Sequence, residues 1–362
     1  MADKLAQLVQ TLGGGVINLS DFKIIRLIGK GGFGEVHIAE HIPTGVKCAV
    51  KMLYMNMLSV QQLELYRREI EILAQCRFPC LLHLYGFTIT PPYAIVTPYV
   101  ENGSLDRHLG PSTSDPLNPT QKTLIAIGVA YGMMKLHQMN VIHRDLKSMN
   151  VLLDSSYHPV VCDFGIARTL SNYGNEMTKS IGTIGWMAPE QMTSSNYDNK
   201  VDVYAYAMVL YELLEERIPF VGENHVIMHA VVYEKKRPEF KHVESGTIIK
   251  LIKSCWHDKP NKRPSFRRIF QIFLSNDCMF SGSDSNLVYQ YCQNLNLTEK
   301  VPMYDEENDP ESNKKDKKEK KDKEKKDKDK DKDKDKDKKK EKKEKKDKKE
   351  DKKEKKKEKK HH

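Results

Sequence analysis

Eight consecutive residues, His143-Arg144-Asp145-Leu146-Lys147-Ser148-Met149-Asn150, and the triplet Asp163-Phe164-Gly165 beginning 13 residues after Asn150 carry most of the chemistry legible in the chain. They bring two carboxylates and a carboxamide into a short span. Phosphoryl transfer to a hydroxyl needs that set: a carboxylate to orient the acceptor and take its proton, and oxygen ligands for magnesium, or manganese in its place. Asp145 suits the first role, and Asn150 and Asp163 suit the second. A match of this length, in register with the upstream features below, is not a chance coincidence.

Those features are a glycine-rich turn and a lysine. In Gly29-x-Gly31-x-x-Gly34-x-Val36, the backbone from Gly29 through Lys30, Gly31, Gly32, Phe33, Gly34 and Glu35 can fold closely over ATP phosphates, with Val36 covering the adenine. A β-like run follows Gly34, which excludes the dinucleotide-binding version of the motif, since that needs a helix there. Lys51 ends the apolar run Ala49-Val50, where a charge is costly unless it meets phosphate or a carboxylate. Glu69, within a helical stretch, can face Lys51 and hold it against the phosphates; by itself it would read as a solvated helix charge.

Positioning these groups requires two kinds of element. From Phe22 to Val50 three β-like runs appear, Lys23 to Ile28, Val36 to Glu40 and Val46 to Lys51, with Pro43-Thr44-Gly45 as a turn. A helical pattern covers Gln61 to Ala74, and two more β-like runs cover Leu81 to Gly86 and Tyr93 to Tyr99. Beyond Leu109 the pattern turns helical, notably at Gln121 to Gln138 and Val201 to Leu214, and ends near Phe273. The prediction is an α+β chain: a small antiparallel β lobe with one main helix, then a larger, mainly α lobe. Residues 1–20 read as an N-terminal segment ending in a flexible Gly13-Gly14-Gly15 joint, 21–274 as the folded domain, 275–313 as a linker and 314–362 as a lysine-rich tail.

The formal charge of +10 belongs to that tail. Lys314 to Lys360 holds 30 lysines and 17 acids, a net +13, so the rest carries 30 basic and 33 acidic side chains, a net −3. A nearly neutral folded part gives no reason to expect nucleic-acid binding. The tail has no apolar residue, and strict Lys/Asp alternation from Lys326 to Lys338 sets like charges at i,i+4, so disorder or a solvated helix is expected. An anionic surface or an acidic partner would suit its charge. Seven scattered cysteines without a Cys-x-x-Cys pair suit reduced thiols, and no stretch reaches the roughly 20 apolar residues of a membrane span. The expectation is a soluble, intracellular, cytoplasmic protein with no secretory segment at Met1 to Gln10; nuclear access stays open.

Over roughly Phe22 to Phe273 the sequence resembles the protein-kinase superfamily. Its finer motifs resemble the tyrosine-kinase-like group: His143 to Ser148, then Gly182-Thr183-Ile184-Gly185-Trp186-Met187-Ala188-Pro189-Glu190, then Cys255-Trp256 and Lys262-Arg263-Pro264. The resemblance implies a bilobal protein kinase fold using ATP and Mg2+ (or Mn2+) on protein substrates. It adds Ile28, Ala49, Thr97, Tyr99, Val100 and Leu152 to the nucleotide site, with Thr97 at its back and the hinge directly after it. It pairs Glu190 with Arg263, makes Asp202 an anchor for the catalytic loop, and stacks Leu73, Leu84, His143 and Phe164 between the lobes. Lys147, two residues after Asp145, with Thr183, implies serine or threonine acceptors; tyrosine or dual specificity is the alternative. A dead pseudokinase scaffold is a further alternative, against which Lys51, Asp145 and Asp163 are all present. Two departures are Pro98 in place of the usual hinge acid, and Ala205-Tyr206-Ala207. Phosphorylation of Thr169, Ser171, Thr178 or Ser180 is an expected switch, and Cys162 is close enough to Asp163 to be a candidate for alkylation.

Overall fold

Side-chain alternation sorts the N-terminal strands into two faces. In the computed structural model, which describes residues 2–31, 34–54, 58–164, 184–242, 246–275 and 278–297, β1 (Phe22–Lys30), β2 (Gly34–His41), β3 (Val46–Leu53), β4 (Gly86–Phe87) and β5 (Ala94–Pro98) form one antiparallel sheet, ordered β1-β2-β3-β5-β4. The register sets Gly29 opposite Val36, Val36 opposite Lys51 and Ala49 opposite Thr97, so all five share one face. The other face buries Ala39, Cys48, Val50, Ala94 and Val96 as a small separate core. Gly34 is required by close approach: a Cβ there would lie 2.1 Å from the Met52 carbonyl oxygen.

Two helices lie with this sheet, α1 (Ala2–Leu12) packing against α2 (Val60–Gln75). A capping box starts α2: Ser59 Oγ accepts from the Gln62 amide at 3.3 Å, and Gln62 Oε1 accepts from the Ser59 amide at 2.8 Å. The Tyr66 hydroxyl bonds to the carbonyls of Thr88 and Ala94, tying α2 to the sheet. Residues 1–20 do more than precede the domain, because Leu5 and Leu8 are buried in the main core and the Gly15 carbonyl accepts from the Phe87 amide at 2.9 Å. The Leu81 to Gly86 run, expected as a strand, is strand only at Gly86–Phe87. Its amides go elsewhere: Leu84 donates to the Leu73 carbonyl at the end of α2, and Leu82 to Val161.

The larger lobe is built on α3 (Pro119–Gln138), entered through an Asn118/Gln121 capping box. The short hairpin β6 (Val151–Leu153) and β7 (Pro159–Val161) follows, then α4 (Pro189–Thr193) and α5 (Lys200–Glu215). Every residue of α5 from Val201 to Glu215 is buried, as the apolar run from Val201 demands. Then come α6 (Asn224–Val232), α7 (Gly246–Cys255) and α8 (Phe266–Leu274), which packs Phe266, Ile269, Phe270 and Phe273 inward, and lies against α3. The expected linker 275–313 is corrected over its first part. Residues Ser285–Leu297 form α9, which packs on α3 and α8 through Val288, Cys292 and Leu295. That i, i+4, i+7 stripe is narrow and set among Asn and Gln, which is why the segment reads as polar.

Candidate active site

The hairpin β6–β7 fixes two of the site residues by its ends. Asn150 directly precedes β6 and Asp163 follows β7 by one residue, and the Cys162 amide donates to the Asn150 carbonyl at 3.0 Å. Asp163 stands at φ 58 and Arg144 at φ 69, left-handed values that a non-glycine residue holds only where its surroundings enforce them. For Arg144 the enforcing group is Asp202 on α5, whose carboxylate accepts from the His143 and Arg144 amides at 2.8 Å each and from His137 Nε2 at 2.8 Å. Burial raises the Asp202 carboxyl, yet the hydrogen bond and charge of His137, together with the other donors, bring it below the ordinary carboxylate range.

His143 closes the loop on the hairpin. Its Nε2 donates to the Cys162 carbonyl at 3.0 Å, which leaves Nδ1 to accept from the Asp145 amide at 3.3 Å. The Phe164 ring meets His143 edge-on at 5.8 Å, and Leu73 and Leu84 belong to the same core. Around Asp145, Lys147 Nζ donates to Oδ2 at 2.8 Å, and Asn150 Nδ2 donates to Oδ2 at 3.1 Å and to the Asp145 carbonyl at 2.7 Å. Asp145 Oδ1 is buried with no hydrogen-bond partner among the described residues. With its amide nitrogen so engaged, Asn150 keeps its oxygen as the end available to a ligand.

Across the cleft Lys51 Nζ donates to Glu69 Oε1 at 2.7 Å. Burial alone would lower the lysine's pKa, but the charges of Glu69 and Asp163 outweigh it and hold the ammonium above the usual lysine value. The Gly31 amide donates to the Gly34 carbonyl at 2.9 Å, and Lys30 reaches Glu35 at 3.1 Å. Gly32 and Phe33 lie outside the described residues, as do Gly165, Thr183 and the four hydroxyls expected as switch sites.

A cleft of about 510 Å³ brings together the Lys51–Glu69 pair and Asp163, while Asp145, Lys147 and Asn150 are not among the residues that line it. Ile28, Gly29, Val36, Ala49, Lys51, Glu69, Thr97, Tyr99, Val100, Leu152 and Asp163 line it. A hollow of about 850 Å³ lies between Gly13–Gly15 and the Arg77–Tyr85 segment, but it touches neither Lys51 nor Asp163, so the smaller cleft is the candidate site. Glu101, Asn102, Gly103 and Ser104 also line that cleft and were not expected. Their signal is position: they follow Tyr99–Val100 directly, and Gly103 turns the chain at φ 71. Cys162 lines the cleft too, but it is buried, and burial pushes its thiol well above the ordinary value, which favours an inert side chain. Among the described residues no three His, Cys, Asp or Glu side chains cluster as a metal cage. Oxygens from Asn150 and Asp163 alone suit a hard cation that fills its shell with water and phosphate oxygens.

Away from the cleft, the buried Arg263 bonds to Glu190 through Nη1 at 2.5 Å and Nη2 at 3.0 Å, a fork that ties α4 to the turn before α8.

Residues 22–273 match the family described as protein tyrosine and serine/threonine kinase. The chain is 37% identical over 259 residues to a probable serine/threonine-protein kinase of Dictyostelium discoideum, covering 71% of this chain and 28% of that protein. It is 35% identical to serine/threonine-protein kinase CTR1 of Arabidopsis thaliana, covering 70% of this chain and 31% of that protein. It is also 35% identical to serine/threonine-protein kinase TNNI3K of Mus musculus, covering 75% of this chain and 33% of that protein. The chain thus spans a third or less of the length of these relatives. The chain belongs to the eukaryotic protein kinases, of the tyrosine-kinase-like type, with their bilobal α+β fold.

Proposed function

We propose that the chain transfers the γ-phosphate of ATP to serine or threonine hydroxyls of protein substrates. One observation carries the reading: the Lys51–Glu69 pair and Asp163 line one cleft, while the Asp145–Lys147–Asn150 cluster is built with one carboxylate oxygen that has no hydrogen-bond partner among the described residues. That oxygen supports Asp145 as the group that orients the acceptor hydroxyl and receives its proton. Lys147, bonded to the other oxygen, holds the carboxylate turned toward the acceptor. Lys51, held by Glu69, positions the α- and β-phosphates, and the turn from Gly29 through Lys30, Gly31, Gly32, Phe33, Gly34 and Glu35 covers them. Ile28, Val36, Ala49 and Leu152 offer apolar surface to the adenine, Thr97 stands behind it, and Tyr99 and Val100 supply the hinge contacts that Pro98, without an N–H, cannot.

Asn150 and Asp163 would hold Mg2+, or Mn2+ with the same donors; the ion would neutralise charge developing on the phosphates. The assembled Lys51, Glu69, Asp145 and Asp163 argue for an enzyme over a scaffold. The net +13 of Lys314 to Lys360 supports recruitment of the kinase to an anionic surface or acidic partner. The seven free cysteines of the described residues support a reducing, cytoplasmic setting, and no helix among those residues is long and apolar enough to cross a membrane. Incubation with labelled ATP and a degenerate peptide array, in Mg2+, Mn2+ or chelator, tests the reading. Label on serine and threonine peptides that disappears with chelator is expected; no transfer under any condition overturns it.

A further inference from the structure

Residues 22–273 match the kinase family, and the chain continues beyond them into α9. Two hydroxyls on α3 fasten the approach: the Phe280 amide donates to Thr123 Oγ1 at 3.0 Å, and the Asp284 amide to Thr120 Oγ1 at 2.9 Å. From there α9 runs along α3 to Gly128, where a Cβ would lie 2.5 Å from Pro159 Cγ and 2.6 Å from the Tyr291 hydroxyl. One turn on, a Cβ at Gly132 would lie 2.9 Å from the Cys80 carbonyl oxygen. Two glycines thus let three segments seat on one face of α3. The Tyr291 ring stacks on His158, with centroids 4.9 Å and planes 14° apart, and its hydroxyl lies 3.4 Å from Cys80 Sγ.

We propose that Tyr291 is a positioning residue that holds β7 against the Cys80–Leu82 segment, and thereby sets Asp163 for the metal-bound nucleotide. This rests on the kinase reading. β7 has two edges. β6 pairs with one; at the other, the Val161 amide donates to the Cys80 carbonyl and the Leu82 amide to the Val161 carbonyl, each at 2.9 Å. Asp163 follows Val161 by two residues, so a shift along that second seam reaches the carboxylate through Cys162 alone. Tyr291 touches both sides of the seam, His158 at the start of β7 and Cys80 opposite it. Cys80 stands at φ 67, a left-handed value that a non-glycine residue holds only under constraint. An aliphatic side chain in place of Tyr291 would fill the space but offer neither a flat face to the imidazole nor a polar end to the thiol. Burial pushes the Cys80 thiol up to about 12 and the Tyr291 hydroxyl well above its ordinary value, so their contact carries no charge near neutral pH.

The consequence is selective. Asp145 and Lys147 lie on the loop before β6 and not on β7, so the acceptor side should be spared. The test uses the full chain with Tyr291→Ala, Tyr291→Phe, His158→Ala and the double variant that combines Tyr291→Ala with His158→Ala. Without nucleotide or metal, amide exchange in the Pro159–Asp163 segment should be about fivefold to tenfold faster in Tyr291→Ala than in wild type. With a peptide acceptor that the wild type phosphorylates, the Mg2+ concentration giving half the maximal rate should rise about threefold to tenfold in Tyr291→Ala and His158→Ala, with peptide KM within about twofold. Tyr291→Phe keeps the ring and should stay within about twofold of wild type in both measurements. The double variant should be no worse than Tyr291→Ala, because both changes remove one stack. A residue that merely stabilises the fold would lower the melting temperature but leave the segment's exchange and the Mg2+ requirement unchanged, and that result overturns the proposal. A wild type inactive on every peptide would refute the kinase reading instead, and the exchange measurement, which needs no activity, then decides whether Tyr291 holds β7.

Discussion

Lys51 Nζ lies 2.7 Å from Glu69 Oε1, joining β3 to α2 across the upper wall of the cleft. The pair depends on the placing of α2, which Tyr66 fixes to the sheet through the Thr88 and Ala94 carbonyls and which α1 backs with Leu5 and Leu8. Lys51→Met removes the cation proposed to meet the phosphates, whereas Glu69→Gln leaves it in place but loosely held. Initial rates should fall by more than about 100-fold for Lys51→Met and by roughly 10-fold to 100-fold for Glu69→Gln. Equal rates for Glu69→Gln and wild type would remove Glu69 from the site.

Asp145→Asn should lower phosphoryl transfer by about 1000-fold while leaving nucleotide affinity within about twofold. The carboxylate bonds to Lys147 and Asn150, and Asp145 is not among the residues that line the cleft. Titration with a non-hydrolysable ATP analogue beside the transfer assay separates the two. Loss of nucleotide binding would contradict the assignment.

Much of this site is legible in the sequence because its members sit at fixed offsets on single elements. Val36, Ala49, Lys51 and Thr97 share a sheet face by two-residue alternation and antiparallel register, which the β-like runs already contain. Asn150 and Asp163 bracket a hairpin of short strands. What sequence hides is tertiary. The Leu81 to Gly86 run has strand-like residues but spends its amides on Leu73 and Val161, and α9 has only a thin apolar stripe that finds its partner on α3. Glu212 reads as one more acid near a helix end; only the folding together of α5, Ser148 and Trp186 gives it two partners.

Glu212 also makes a pH prediction. Its carboxyl is raised from the ordinary 4.5 to about 7 in the fold, chiefly by burial, so between those values the folded state holds the extra proton. Stability from this group is present in full below 4.5 and is lost as pH rises through about 7, on the order of 3 kcal/mol in all. Glu212→Gln cannot titrate. Urea unfolding from about pH 5 to about pH 8 should show wild type losing ground to the variant as pH rises. A stability difference that stays flat or moves the other way would contradict this.

Cys162 should resist alkylation. Burial raises its thiol well above the ordinary value, its Sγ faces the Asn150 carbonyl at 3.5 Å, and thiolate is the reactive form. Mass spectrometry after iodoacetamide treatment at neutral pH should find Cys162 unlabelled in the folded chain and labelled in denaturant. Rapid labelling that ATP prevents would show an accessible, activated thiol instead.

The central claim is phosphoryl transfer from ATP to serine or threonine through Asp145, and phosphoamino-acid analysis of a peptide array treated with wild type or Asp145→Asn under labelled ATP tests it most directly. The account predicts phosphoserine or phosphothreonine from the wild type and none above background from the variant. Equal labelling by both proteins, label on tyrosine alone, or no labelling by the wild type would contradict it.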